Sequence, residues 1–455
     1  MGLDIFVVFV YIASMLLLGW LGMRRATSRE EFLVAGRNLG PGFYMGTMAA
    51  TVLGGASTVG TVKLGYVYGI SGFWLCAALG CGILVLNLFL AKPLLKLKVF
   101  TVTQILERRY NTVARRTSAL VMLLYAVMLC VTSVLAIATV MQVLFTLPFW
   151  LAVVIGGGVV VVYSTIGGMW SLTLTDIVQF LIKTIGLMFI LLPICLHRVG
   201  GWEQLQAKLP ASYFSFTSIG GDTILTYFVI YFFGILIGQD IWQRVFTARS
   251  DGVARYAGTV AGLYCIVYGL VCAAIGMATK VLLPDLAVPA NAFAAMVKDG
   301  LPDGIRGLVI AAALAAMMST ASAALLAAST TLSEDLIVSD RGGLWLNRIL
   351  TLLVGGVVLL LAMVVHDVLT ALTLAYNLLV AGMLVPLLGA IFWPRATTAG
   401  AIVSMVLGCG TAILAMLSYG LDSNLPIYQS LVVALVSFVL VSLMTARGSQ
   451  VAARL

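Results

Sequence analysis

The chain has 455 residues, of which 62% are hydrophobic and only 9% charged. A soluble domain carries about 45–50% apolar and about 25% charged residues, so an ordinary globular enzyme is excluded. The formal charge of +9 would suit a nucleic-acid binder, but the placement of the basic residues gives it another meaning.

Apolar runs near 20 residues recur from end to end, each long enough to cross a hydrocarbon core about 30 Å thick. In lipid the backbone must satisfy its own hydrogen bonds, so these runs are helices; the ten-residue alternation of an outer-membrane barrel is missing. Thirteen spans are predicted, at about 3–23, 41–69, 72–92, 114–142, 148–165, 171–195, 222–242, 256–281, 307–330, 344–365, 369–393, 398–419 and 427–445. The first has its basic pair, Arg24 and Arg25, after the apolar run rather than before it, which reads as a retained helix and not a signal peptide. With the N-terminus outside and the C-terminus cytoplasmic, 19 of the 26 Lys and Arg fall on the cytoplasmic side and five outside, with Lys63 and Lys183 inside spans. That is the positive-inside bias of an inner (plasma) membrane protein, so the charge reports topology and no nucleic-acid partner is expected. The whole chain, 1–455, reads as a single integral membrane domain.

In chain order, the second span contains "TVLGGASTVGTVKLG" (51–65) and the seventh "FGILIGQ" (233–239). Glycines there could serve close helix packing. Their placement five spans apart instead matches the paired broken helices that mark a transporter site at the bilayer midplane. Spans 2–6 (about 41–195) and 7–11 (about 222–393) are therefore grouped as two inverted repeats, with one extra N-terminal and two C-terminal helices. Between spans 3 and 4, "KPLLKLKVFTVTQILERRY" (92–110) reads as a short amphipathic cytoplasmic helix or a basic loop. The seven cysteines lie in or at the edges of spans without metal-ligand spacing, so they read as small packing residues and not as disulfides.

The ninth span, "LAAMMSTASAALLAASTTLSEDL" (314–336), places Ser319 and Thr320 three and four positions after Ala316. Those offsets share a helix face, so two hydroxyls gather beside one carbonyl, and an unwound Gly54–Val59 could add more oxygens. A hard cation such as Na+ wants that donor set. The alternative is that both hydroxyls only bond back to their own helix.

Four motifs in order, "EEFLVAGRNLG" (30–40), "GGASTVG" (54–60), "YSTIGGMWSLTLTDIVQF" (163–180) and "AAMMSTASAALLAASTTLSEDL" (315–336), with "GQDIWQRVFTARS" (238–250), resemble the sodium:solute symporter family from end to end. The resemblance implies an all-α membrane fold of the LeuT type, a five-plus-five inverted repeat. It also implies Na+ as coupling ion, held by the carbonyls of Ala56, Val59 and Ala316 and the hydroxyls of Ser319 and Thr320. Asp176 matches the family's aspartate on the ion's exit path, although it could also cap a helix beginning near Thr173. Some members hold a second Na+ there with two more serines; Ser322 matches one, but Ala323 replaces the other. Lys63 stands where sugar and sialate members present an uncharged polar group to the solute. It could bind a solute carboxylate, replace a coupling ion by titrating, or snorkel to the interface. Thr58, Tyr231 and Gln239 complete the expected solute-binding set, and Lys183, two turns from Asp176, reads as structural.

The expected function is Na+-coupled symport of a small organic solute, carboxylate-bearing or zwitterionic, by alternating access. Proton coupling and solute sensing without net transport are the alternatives. A monoanion moving with one Na+ carries no net charge and forgoes about 2.3 kcal/mol per 100 mV, which favours a zwitterion or a second cation. A lysine facing the site disfavours a quaternary amine, which aromatic rings would hold. With two histidines and no HExxH, GxSxG or P-loop pattern, no enzyme activity is expected. The partners expected are the solute and the lipid bilayer, with no obligate protein partner.

Overall fold

A computed structural model describes residues 2–337, 343–365, 367–420 and 423–446. Among them, ten helices are long and apolar enough to cross a membrane, and an eleventh crossing is a pair, Gly221–Ile237 and Gln239–Val245, bent by 47°. Two of the ten, Ala56–Leu97 and Phe149–Val199, run for 42 and 51 residues. At 1.5 Å per residue these would be about 60 and 75 Å long if straight, twice a hydrocarbon core. Each is turned at a glycine with positive φ, Gly69 (71°) and Gly168 (52°). At Gly168 a Cβ would also meet the Phe32 ring at 2.7 Å, so only glycine fits. Gly168 lies in the 166–170 gap between the fifth and sixth predicted spans.

Polar punctuation starts the helices where the apolar runs begin. Pro41 occupies the first turn of the helix Pro41–Val52, where its missing N–H costs nothing. The side chains of Asn111, Ser250, Asp367 and Thr397 accept from backbone N–H groups of the following turn, the usual N-cap arrangement. The segment at 92–110, expected to be cytoplasmic, is two short helices, Ala91–Leu97 and Val102–Arg109. The second buries Val102, Ile105 and Leu106 while its last turn carries Arg108 and Arg109, so it is amphipathic as expected.

At the centre lies the helix Ile305–Thr331, almost wholly buried from Gly307 to Thr331 and packed against the helices Thr112–Phe145 and Gly158–Lys183. Its alanines and hydroxyl side chains let neighbours approach closely, the packing currency of helices in lipid. The first helix, Gly2–Arg25, lies along Gly158–Lys183 and touches this central helix. Asp4 joins them, accepting from the N–H groups of Gly304 and Gly307 and pairing with Arg306 at 2.8 Å. A carboxylate suits that helix N-terminus.

Both breaks expected from the sequence exist, but the first is not where 54–59 was read as unwound. The helix Pro41–Val52 ends at Leu53 (φ −92°, ψ 71°). Residues Ala56–Gly60 are wound again as a π-helical turn leading into Thr61–Tyr68. Only Leu53 and Gly54 are left outside the helices. The second break falls at Gly238, whose ψ of 130° separates Ile237 from Gln239. The two broken helices meet beyond their ends: Leu39 N donates to Thr247 O at 2.9 Å and Arg249 N to Leu39 O at 3.1 Å. All seven cysteines are free thiols.

Candidate functional site: the helix break and the vestibule

The break frees the last carbonyls of Pro41–Val52, because no next turn donates to them. The central helix supplies donors. Ser319 Oγ donates to Ala50 O at 2.8 Å as well as to its own Ala316 O at 3.0 Å. Thr320 Oγ1 donates to Thr51 O at 2.6 Å. Ser319 thus combines both readings made from the sequence, bonding back to its helix and reaching across to the broken one. Gly54 permits the approach, since a Cβ there would lie 2.7 Å from Thr320 Cβ.

A cavity of about 20 Å³ opens beside this cluster, walled by Thr51, Gly54, Ala56, Ser57, Asp240 and Thr320 among others. That is room for about one water-sized particle. Thr51 Oγ1 is buried without a hydrogen-bond partner among the described residues. Hydroxyls that donate to carbonyls keep lone pairs for a cation, so the donor set is oxygen throughout and fits Na+. Ala316, Ser319 and Thr320 therefore come together, with Ala56 on the cavity wall. Val59 does not join them: it lines a separate cavity with Gly60, Lys63 and Leu369. The carbonyls that face the hydroxyls belong to Ala50 and Thr51, about two turns earlier than the Ala56 and Val59 carbonyls the sequence suggested. Ser322 sits one turn further on, donating to Ser319 O at 3.0 Å.

Asp176 is fully buried. Its Oδ2 accepts from Thr47 Oγ1 and lies 3.5 Å from Arg244 Nη2. It caps no helix, because Gly158–Lys183 runs through it and breaks at Gly168 instead. It ties together the broken helix, the kinked helix and the segment after Gly238. Further ion pairs join Arg29 to Glu334 at 2.5 Å and Arg115 to Asp335 at 2.9 Å and to Glu107 at 2.7 Å.

Beyond the break, Lys63 and Tyr231 line one vestibule of about 650 Å³ together with Asp367, Thr226, Tyr227 and Asn424. Lys63 also lines the adjoining cavity of about 250 Å³, again with Asp367. The sequence reading missed Asp367, which looks like an N-cap of the helix Val368–Phe392 and is one, accepting from Thr370 N at 2.7 Å. Thr58 and Gln239 are not part of this vestibule. Thr58 Oγ1 lies 2.8 Å from Tyr268 Oη. Gln239 is spent on the segment between the two short helices of 91–109, accepting from Val102 N and donating to Phe100 O, both at 2.9 Å.

Lys183, expected to be structural, has partners that the sequence did not indicate. Its ammonium reaches the break itself, donating to the carbonyls of Ala49 (3.2 Å), Ala50 (3.3 Å) and Leu53 (3.5 Å). Seven residues after Asp176 was a visible signal of a shared face, but not of what that face meets.

Residues 32–408 match the Sodium:solute symporter family. The chain is 27% identical to the Sodium/pantothenate symporter of Escherichia coli (strain K12), covering 90% of each. It is 26% identical to the Sodium/proline symporter of the same organism, over 89% of this chain and 86% of the other. Its fold matches that of a Na+-coupled sialic acid symporter with a TM-score of 0.82 at 22% identity, covering 100% of this chain and 99% of that one. A nucleobase-cation-symport-1 transporter, MHP1, matches with a TM-score of 0.61 at 16% identity over 92% and 95%. The chain belongs to the sodium:solute symporter family, multi-pass membrane transporters with Na+ as their coupling ion.

Proposed function

We propose that this protein is an alternating-access symporter that couples Na+ to the uptake of a small zwitterionic solute. The observation that carries the coupling is the hydroxyl and carbonyl cluster of Ser319, Thr320, Ala316, Ala50 and Thr51 across the break. Carbonyls at a broken helix end and facing hydroxyls are the means by which such transporters hold Na+ at the midplane. Bound there, the ion bridges the broken helix and the central helix, so its arrival can favour one arrangement of the two halves.

The solute class rests on Lys63 and Asp367, which face one vestibule with opposite charges. An ammonium and a carboxylate suit a solute that carries both groups, as an amino acid does. A zwitterion with one Na+ moves one net charge inward and gains the voltage term, about 2.3 kcal/mol per 100 mV.

In this reading the helices turned at Gly69 and Gly168 each cross twice, and the bent pair crosses once, giving thirteen crossings. The N-terminus lies outside and the C-terminus inside, and 41–195 and 222–393 are the two inverted repeats. The ion pairs of Asp176, Arg115 and Glu334 then seal the cytoplasmic exit while the vestibule faces outward. No catalysis and no protein partner enter the cycle.

The test is uptake into proteoliposomes of matched amino acids, their amides and their decarboxylated amines, with a Na+ gradient or a pH gradient. Accumulation of the zwitterion driven by Na+ and increased by an inside-negative potential is expected. Uptake driven by the pH gradient without Na+, or equal uptake of all three forms, refutes the reading.

A further inference from the structure

Lys183 is buried and has no carboxylate partner among the described residues; the buried carboxylate two turns away, Asp176, pairs with Arg244 instead. An isolated ammonium in a membrane interior is costly unless something replaces its hydration. Here the replacement is three backbone carbonyls, those of Ala49, Ala50 and Leu53, at 3.2–3.5 Å. They sit at the C-terminal end of Pro41–Val52, where the helix dipole also favours a cation. The Tyr268 ring, 5.8 Å from Nζ, covers another side. This is the environment a broken helix offers to a coupling ion, and the chain fills it with a cation of its own. The same Ala50 carbonyl also accepts from Ser319, so the ammonium and the proposed Na+ site share an oxygen.

We propose that Lys183 is a tethered cation that competes with Na+ at the break and so sets the transporter's Na+ affinity. The proposal rests on the Ser319 and Thr320 reading of the Na+ site. Two cations on one carbonyl stand about 5 Å apart, and at an effective dielectric near 20 they repel by about 3 kcal/mol, about a hundredfold in affinity. Partial withdrawal of the flexible lysine stem would reduce that, so ten- to a hundredfold is expected. The lysine also holds the carbonyls together before Na+ arrives, leaving the break assembled in the empty carrier.

The experiment is equilibrium binding of radioactive Na+ to purified protein in nanodiscs. It compares wild type with Lys183→Met, Lys183→Gln, Lys183→Arg and Ser319→Ala. The Met and Gln variants should bind Na+ ten- to a hundredfold more tightly, Lys183→Arg should resemble wild type, and Ser319→Ala should bind more weakly. A lysine that merely capped the helix would give the opposite sign, with weaker Na+ binding in both neutral variants, and that result overturns the proposal. If the neutral variants lose their fold in choline chloride, NaCl must restore it, since Na+ would take the ammonium's place; failure to do so also overturns it. Unchanged Na+ binding in Ser319→Ala, by contrast, removes the Na+ site reading itself.

Discussion

Replacing Ser319 by Ala tests the coupling site with little damage to the fold. The side chain loses one oxygen and almost no volume. Its carbonyl partner Ala50 keeps a donor, because Lys183 remains at 3.3 Å. The folding cost is therefore that of one hydrogen bond, about 0.5–1.5 kcal/mol. The cost to Na+ is larger. The Oγ lies 2.8 Å from Ala50 O and 3.0 Å from Ala316 O, so it is already fixed where an ion would need it. An interaction with a charge is worth about 1.5–3 kcal/mol, or about ten- to a hundredfold in affinity. Half-saturating Na+ for uptake should rise by that factor in Ser319→Ala, and comparably in Thr320→Ala. Solute affinity at saturating Na+ should change far less, because Lys63 and Tyr231 line a different cavity. The assay is initial uptake into proteoliposomes across a Na+ series at fixed ionic strength, with solute affinity measured at the top of the series. Unchanged Na+ dependence in the double variant would refute the site.

Three further outcomes are expected. Lys63→Gln should weaken an amino acid about ten- to a hundredfold in competition uptake while sparing its uncharged analogue, the worth of one charge-assisted hydrogen bond; equal effects on both would leave Lys63 a snorkelling side chain. Asp176→Asn leaves Arg244 buried and unpaired, a loss of about 3–5 kcal/mol in folding stability. It should lower the melting temperature and slow net transport, with solute binding from the outside kept. Adding Arg244→Gln should recover part of the melting temperature, and no recovery would mean the pair is not what holds the two segments. Gly54→Ala places a Cβ 2.7 Å from Thr320 Cβ, and such overpacking costs about 1–3 kcal/mol. Thermal unfolding should register that loss together with weaker Na+ binding, whereas a silent substitution would mean the helices are not in close contact at the break.

The membrane class, the approximate spans and the existence of two breaks were legible in the residues themselves. In lipid, a 20-residue apolar run and its flanking charges are enough to specify a helix and where it ends, because the backbone has no other way to satisfy its hydrogen bonds. The three-residue and four-residue offsets likewise put Ser319 and Thr320 beside Ala316 without any tertiary knowledge. Where the first break falls was not legible. Glycines at 54, 55 and 60 allow both a break and a packing contact, and only the approach of Thr320 puts the break at Leu53–Gly54 and winds 56–60 back into helix. Side-chain partners were hidden for the same reason. Gln239 is taken by backbone 137 and 139 residues away in the chain, and Asp176 by Arg244, 68 residues on. Lys183 shows the division most sharply. Helical periodicity gives the face on which it lies, but its reach to the carbonyls of Ala49, Ala50 and Leu53, 130 or more residues earlier, depends on how two helices pack. Local pattern determines which segments become helices; which carbonyls a buried ammonium finds is decided by the distance between them, and that exists only in the tertiary structure.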